Sequence, residues 1–532
     1  MSRAAKLVRS VAVLFALVQI GVLAFTLVRR FGYPYDLEWM EGGMLCHSLR
    51  LLDGQPIYAA PSVDFIPFLY TPLYPALLAL LSKVVGLSYG LGRAVSIASF
   101  AGASYLAYRF AAREGGSRAA ALAAMALPAA AYALTGSFYD LARPDSLWLF
   151  LVTAALVCVY HAARDEKGAP RSFSDGRMHL LAAAAGALLV LAFFTKQTAG
   201  PFFVAAGLGL LALNFRAVPA FVGALVVLGL PSLWWMNRGS GGWFWRYVFQ
   251  MHQGHTFFAK RAWVEGPMAL AAIDGPALLL VVWGLLRRRS AAMGYAAFLA
   301  LVGVGTACLA AGTEWAITNA YIPGVFFPSL AMGMAGGRLC GGTAADPLPR
   351  LRPVVVYGLL LASLLVKLPG WHGERDDAFM YLSQARLVHR FDPRRFIPTS
   401  QDRAAGDALV ARLRATAGEV LVPFHPFYAR LAGKRTFVHQ MGVMDVGRAG
   451  LGVPAGLSEA FAARRFELVV LDDKIEGKWP WWPGLQGAYE ERERLRGPRV
   501  PTGAQTVPSY LWMPRPPAGE AHIDTEPQST TP

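Results

Sequence analysis

Long apolar runs separated by short polar connections fill the chain up to about residue 369, after which the pattern changes. Runs close to bilayer-spanning length cover residues 7–28, 90–108, 119–134, 146–162, 179–194, 201–213, 217–235, 267–286, 291–311, 319–336 and 353–368. They predict about eleven transmembrane helices by the length rule. One more run, 73–86, is short, carries Lys83 and follows YTPLYP. The basic residues decide how it is counted. If it does not cross, the connections 109–118, 164–177, Arg216, 287–290 and 338–352 all fall on the cytoplasmic side, so every strongly basic short loop is inside. If it does cross, the RRR of 287–289 lands outside. It is therefore read as an interfacial or re-entrant helix within a long first outer loop, 29–89. The other outer connections are then 135–145, 195–200, 236–266 and 312–318. This places the N-terminus in the cytoplasm and everything past 369 outside.

The first outer loop carries YPYDLEWMEGGMLCHSLRLLDG at 33–54, with Asp36, Glu38 and Glu41 close to the bilayer surface. Met44, Leu45, Leu49 and Leu52 recur at helical spacing, which predicts a helix lying along the membrane with Glu38 and Glu41 on one face. Acids beside lipid are costly unless they face water, a substrate or a partner. Past residue 369 the pattern shortens. VLVPF (420–424), TFVHQ (436–440), ELVVLDD (467–473) and SYLWM (509–513) predict strands, and 402–416 and 458–464 predict helices. The fold class expected is a polytopic α-helical membrane protein, residues 1–369, followed by a small C-terminal extracytoplasmic α/β domain at 370–515. A Pro- and Thr-rich tail, 516–532, reads as disordered.

Composition agrees. The 532 residues are 55% hydrophobic with a mean hydropathy of +0.39, too apolar for a soluble protein of this size. The net charge of +16 sits largely in short loops between apolar runs, so it sets topology in a bacterial-type inner membrane rather than indicating nucleic acid. Cys46, Cys158, Cys308 and Cys340 are far apart and form neither a disulfide framework nor a metal set. Arg3, Lys6 and Arg9 introduce a first run too long for a signal peptide and without a clear cleavage site, so it reads as an uncleaved span.

Four further outer clusters carry candidate chemistry. In FYDLARPDSLW (138–148), Asp140, Arg143 and Asp145 put carboxylates on the same side as the first loop; mutual pairing and helix capping would explain them equally well. In FFTKQTAGP (193–201), Lys196 ends an apolar helix beside Gln197 and Thr198, a place to hold a phosphate at headgroup depth or merely a snorkelling lysine. The loop 241–261 mixes Trp243, Trp245 and Tyr247 with His252, His255, Lys260 and Arg261. Aromatic anchoring accounts for much of it. No Asp, Glu or Cys accompanies the histidines before Glu265, so basic groups for a phosphate are favoured over a metal site. In GTEWAITNAYIPGVFFP (312–328), Glu314, Asn319 and Tyr321 lie at an outer edge, where capping and aromatic anchoring are the plain alternative.

Taken in order, DLEWMEGG (36–43), GQPIY (54–58), YTPLYPALLALLSKVVG (70–86), GRAVSIASFAGASYLAYRFAAREGG (92–116), ARPDSL (142–147), TKQTAG (195–200) and NAYIPGVFFPSL (319–330) resemble the GT-C superfamily of membrane glycosyltransferases. The likeness is to the branch holding aminoarabinose lipid A transferases, rhizobial lipopolysaccharide sugar transferases and protein O-mannosyltransferases, and it covers roughly residues 33–330. The resemblance implies a polyprenyl-phosphate-linked sugar donor, a hydroxyl-bearing glycan, lipid or protein acceptor, and inverting transfer outside the cytoplasm. It implies a first-loop acid as general base, with Glu41 or Glu38 ahead of Asp36, and Asp145 and Asp140 as the second-loop acids. By the same resemblance Lys196, Arg143 and Arg261 would face the phosphate, and Gln197, His255, Asn319 and Tyr321 from the outer clusters complete the donor- or phosphate-side candidates. Unlike some relatives, this chain has no lysine just before TPLYP. Oligosaccharyltransferases of the superfamily use a divalent metal and the nearer relatives do not need one, so no cofactor is expected and a divalent ion is left open.

Two rival readings are a transporter or flippase of lipid-linked sugars and a non-catalytic scaffold. The first predicts ionisable groups at mid-bilayer and two related halves. The second predicts that the outer acids are dispensable.

Overall fold

The computed structural model describes residues 1–287, 289–341, 351–365, 393–472, 482 and 484–516. The expected tail beyond 516 lies outside them. Helix α1 (Arg3–Phe31) opens on a Ser2 cap that accepts the Ala5 amide. Ala5, Ala12, Ala16, Gln19, Leu23, Leu27 and Arg30 form its buried stripe. Leu7, Leu14, Leu17, Phe25 and Val28 are exposed on the other side, the pattern of a helix with one face on protein and one on lipid. Then come α2 (Glu41–Leu52), α3 (Leu73–Val85), α4 (Tyr89–Gly115), α5 (Arg118–Ala130), α6 (Asp145–Ala163) and α7 (Gly176–Thr195).

Each predicted span holds a helix, the run 119–134 as far as Ala130 and the last, among the described residues, as far as Leu365. Among the described residues, six stretches are by themselves long and apolar enough to cross a bilayer: α1, α6, α7, Gln197–Gly239, Arg261–Arg287 and Ala291–Ala311. The 43-residue stretch Gln197–Gly239 holds two predicted runs and breaks at Asn214, whose backbone is extended. Helix α5 and Arg352–Leu365 are apolar but shorter. Helix Ile322–Cys340 is buried along nearly its whole length and packs on Ala291–Ala311, α4 and α5. It approaches α4 so closely that a Cβ on Gly337 would lie 2.5 Å from the Gly115 carbonyl oxygen, the use small residues have between membrane helices. The run read as interfacial is α3, which meets α4 at a bend of 118° instead of continuing it. The chain is a multi-pass membrane protein.

The region after 393 holds a four-stranded sheet. Its strands are β1 (Glu419–Leu421), β2 (Phe466–Asp472), β3 (Tyr489–Arg494) and β4 (Pro508–Pro514), in the order β1-β2-β4-β3. β1 and β2 are parallel; β4 is antiparallel to both its neighbours. Helix Ser400–Ala415 starts in a capping box of Thr399 and Asp402. TFVHQ, expected as a strand, is not one. The Val438 amide donates to Val63 O in the first loop, and His439 caps the helix Gln440–Arg448. Its backbone bonds are spent on docking, not on the sheet.

Candidate active site

The five connections expected outside and the sheet region meet at one end of the bundle. His255 contacts Asp445 at 3.2 Å, Arg448 pairs with Glu314 at 3.1 Å, and Ser62 bridges Ala455. Beneath this docking lie two sets of buried carboxylates that differ in how completely they are bonded.

In the first set, Glu41, Asp140 and Asp36, both carboxylate oxygens are occupied, whereas the more distant Asp472 keeps a buried Oδ1 without a partner among the described residues. Glu41 Oε2 accepts from the Leu37 amide and Arg93 Nη2, each at 2.7 Å. Its Oε1 accepts from the Ala142 amide at 2.7 Å and Arg93 Nε at 3.1 Å. Asp140 accepts from Arg30 Nε and from the Tyr132 hydroxyl, each at 2.7 Å. Asp36 accepts from the Gly42 amide at 2.7 Å and from His425 Nδ1 at 2.8 Å, while His425 Nε2 reaches Asp472 at 3.0 Å. Burial opposes charge on His425, but Asp472 and Asp36 outweigh it and push its pKa up to about 10. The imidazolium thus ties the first loop to the sheet.

In the second set one oxygen of each acid is bare. Glu38 Oε2 accepts from Arg143 Nη1 at 2.7 Å and the Met40 amide at 3.1 Å. Its buried Oε1 finds no hydrogen-bond partner among the described residues. Asp145 Oδ1 accepts from Lys196 Nζ at 2.6 Å and Asn319 Nδ2 at 3.0 Å, and its buried Oδ2 likewise has none. Arg143 also donates to the Tyr70 hydroxyl at 2.7 Å. Burial pushes the Glu38 carboxyl up to about 7, with Arg143 pulling the other way and Glu41 adding to the rise. A carboxyl so placed exchanges a proton near neutrality.

Above Glu38 runs the turn that follows β3. Thr502 donates its amide to Leu37 O at 3.0 Å, and a Cβ on Gly503 would sit 2.9 Å from Glu38 Cγ. With φ at +72° and that close approach, only glycine fits there without strain.

No family model matches the sequence, and no curated protein matches it. Solved structures do. Over 94% of this chain and 97% of that chain, it superposes on ArnT from Cupriavidus metallidurans bound to undecaprenyl phosphate, with a TM-score of 0.57 at 12% identity. The apo state of the same protein gives a TM-score of 0.58 at 13% identity, with the same coverage. The chain has the fold of ArnT, the GT-C fold that the sequence resemblance implied. The polytopic fold class with its small C-terminal sheet region therefore stands.

Within this GT-C fold, Glu38, Arg143, Asp145, Lys196 and Asn319 come together. Gln197 borders them, donating to Leu69 O and lying 3.3 Å from His252. Other expected residues are engaged elsewhere. Arg261 donates to Ala316 O at 3.1 Å and stacks on Phe258, His255 faces Asp445, and Tyr321 is buried in the apolar cluster of Leu270, Ile273 and Val325. The expected shared helical face of Glu38 and Glu41 is corrected: α2 begins at Glu41, and Glu38 lies in the turn before it. Among the described residues no group of three His, Cys, Asp or Glu is arranged to hold a metal ion.

Sequence reasoning missed Arg30, Arg93, His425, Asp472 and the Thr502–Gly503 turn. Arg93 did leave a signal, since an arginine inside an apolar run needs a buried partner. His425 left none.

Proposed function

We propose that the protein is an inverting glycosyltransferase that moves a sugar from a polyprenyl-phosphate carrier to a hydroxyl acceptor at the outer face of an inner membrane. The observation that carries this reading is the buried Glu38 carboxylate, tuned toward neutrality, clamped on one oxygen and bare on the other. The acceptor O–H gives its proton to Glu38 Oε1. The acceptor oxygen bonds to the sugar C1 from the face opposite the phosphate, the C1–O–phosphate bond breaks, and the polyprenyl phosphate leaves with the electron pair. Arg143 and Lys196 stand beside the acids and would stabilise that growing charge. Asp145 and Asn319 would orient Lys196 and the donor. Glu41, Asp140 and Asp36 are assigned to holding the loops, because their oxygens are already occupied. The membrane region (residues 1–369) and the outer domain (residues 370–515) would share the site. The orientation rests on the basic loops, and the fold shared with ArnT supports the carrier class.

The test is mass spectrometry of polyprenyl lipids and envelope glycans from cells with the gene, without it, and with Glu38→Gln. The reading expects an accumulated polyprenyl-phosphate sugar and one missing glycan residue in both the deleted and the Glu38→Gln cells. Normal lipids and glycans in the Glu38→Gln cells would refute Glu38 as the base.

A further inference from the structure

The two arginine–glutamate pairs of the site are built differently. Arg93 meets Glu41 as a fork, with Nε on Oε1 at 3.1 Å and Nη2 on Oε2 at 2.7 Å. Two parallel N–H bonds are the common geometry of an arginine with a carboxylate. Arg143 departs from it. One prong, Nη1, reaches Glu38 Oε2 at 2.7 Å, and the other, Nη2, turns to the Tyr70 hydroxyl, also at 2.7 Å. Tyr70 thus takes the bond that would otherwise fall to the second oxygen of Glu38.

Tyr70 is well fixed for that task. It opens YTPLYP, the motif ahead of α3 that the site has not otherwise used. Its carbonyl accepts from the Tyr58 hydroxyl at 2.7 Å. The Leu69 carbonyl before it accepts from Gln197, and the Thr71 hydroxyl after it donates to Phe193 O in α7 at 2.7 Å. Three side-chain bonds therefore pin the backbone of 69–71. The guanidinium is held as well: its carbon lies 5.4 Å from the centre of the Tyr70 ring and 5.6 Å from that of Phe138. Without the Tyr70 hydroxyl, Nη2 would be a buried donor lacking its acceptor, which is costly, and Glu38 Oε1 is an acceptor lacking a donor. The fork would close as it does on Glu41. A base capped in that way takes a proton only after a charge-assisted bond is broken. Building on the glycosyltransferase reading, we propose that Tyr70 is a positioning residue for the general base: by holding Arg143 Nη2 it keeps the fork open and Glu38 Oε1 free for the acceptor hydroxyl.

The experiment uses the full chain reconstituted in liposomes. Infrared difference spectra over a pH series read the protonated-carboxyl C=O band that Glu38→Gln removes. In the parent this band should titrate near 7. Arg143, from the connection before α6, and Glu41, at the start of α2, are the charged groups that act on Glu38, and Tyr70→Phe removes neither. In Tyr70→Phe the midpoint should fall by about one to two pH units, because a second guanidinium bond favours the carboxylate. Tyr70→Leu, which also lacks the hydroxyl but fills the space differently, should fall in the same direction. A lysine cannot fork, so on an Arg143→Lys background Tyr70→Phe should leave the midpoint where Arg143→Lys alone sets it. A midpoint unmoved or raised in the hydroxyl-free variants, or an equal fall on the lysine background, overturns the proposal. Transfer is read in the same liposomes, with the polyprenyl lipid extract of cells lacking the gene as donor and their envelope glycans as acceptor. Tyr70→Phe should lower kcat at least about tenfold, since the acceptor must displace an arginine bond, and leave KM for the lipid extract near the parent's. The infrared arm needs no substrate, so the two readings fail separately. A fallen midpoint with no transfer in the parent sinks the glycosyltransferase reading and keeps the open fork. Transfer in the parent, with kcat and midpoint both unchanged in Tyr70→Phe, sinks only the Tyr70 assignment. A fallen midpoint with unchanged kcat sinks Glu38 as the base, and with it the positioning role.

Discussion

Glu38 and Glu41 begin in the same short stretch and end in opposite conditions. Both are fully buried and each faces an arginine, yet Glu41 accepts four hydrogen bonds while Glu38 accepts two on one oxygen. The second loop repeats the division, with Asp140 bonded on both oxygens and Asp145 on one. A carboxylate with both oxygens engaged has little left to offer a substrate. One with a bare buried oxygen carries an unmet demand that a hydroxyl can satisfy. Burial and an ion pair therefore do not by themselves single out a candidate base; a bare oxygen beside Arg143 is what recommends Glu38.

The sharpest way to break this contrast is Glu38→Gln. It should cut transfer by about a hundred- to ten-thousandfold, the usual worth of a positioned base, with little change in thermal unfolding. A stable protein with full activity would end the comparison. Next in size, Arg93→Met should leave Glu41 charged and unpaired in the interior and cost about 3–5 kcal/mol of stability. Activity should then fall only in step with the folded fraction, measured by thermal unfolding in detergent. Third, Lys196→Ala should lower kcat/KM for the polyprenyl donor about ten- to a hundredfold, as for the loss of one charge-assisted hydrogen bond. Unchanged donor kinetics would place that amine outside the reaction.

The smallest effects concern pH. Because burial pushes Glu38 up to about 7, kcat/KM should rise as pH increases through that value, and the limb should vanish in any residual activity of Glu38→Gln. Folded Glu38 holds its proton more tightly than unfolded glutamate, so its burial disfavours folding increasingly as pH rises from the ordinary carboxyl range toward 7. His425 gives the companion effect. Its folded pKa of about 10 lies above the unfolded value of 6.5, so its stabilising contribution is complete below 6.5 and fades as pH climbs toward 10. His425→Gln should flatten the stability profile in that window.

The membrane helices were legible in the sequence because apolar length alone fixes them, and 291–311 matches its helix end to end. Loop charge set the run 73–86 apart from the spans, and in the structure α3 and α4 meet at a bend of 118°. Lys196, Asp145 and Asn319 were each picked out separately, and they share one carboxylate. What could not be read was which cation answers which acid. Arg30 meets an acid 110 positions away and Arg93 one 52 positions away, and neither spacing leaves a periodic trace. Strand β3 was missed for a different reason. YEERER is charged because it edges the sheet, where side chains face water and discourage further pairing.

The imidazolium of His425 also bears on how the protein is made. A ribosome delivers Asp36 early, with the first helix, and reaches residue 425 only after the membrane helices described here have been synthesised. Until then Asp36 lacks one of its two bonds, and the turn at 502–503 has yet to cover Glu38. A half-finished chain therefore sits in the bilayer with these acids unset, and their bonding is completed only when residues 425–503 fold back onto the first outer loop.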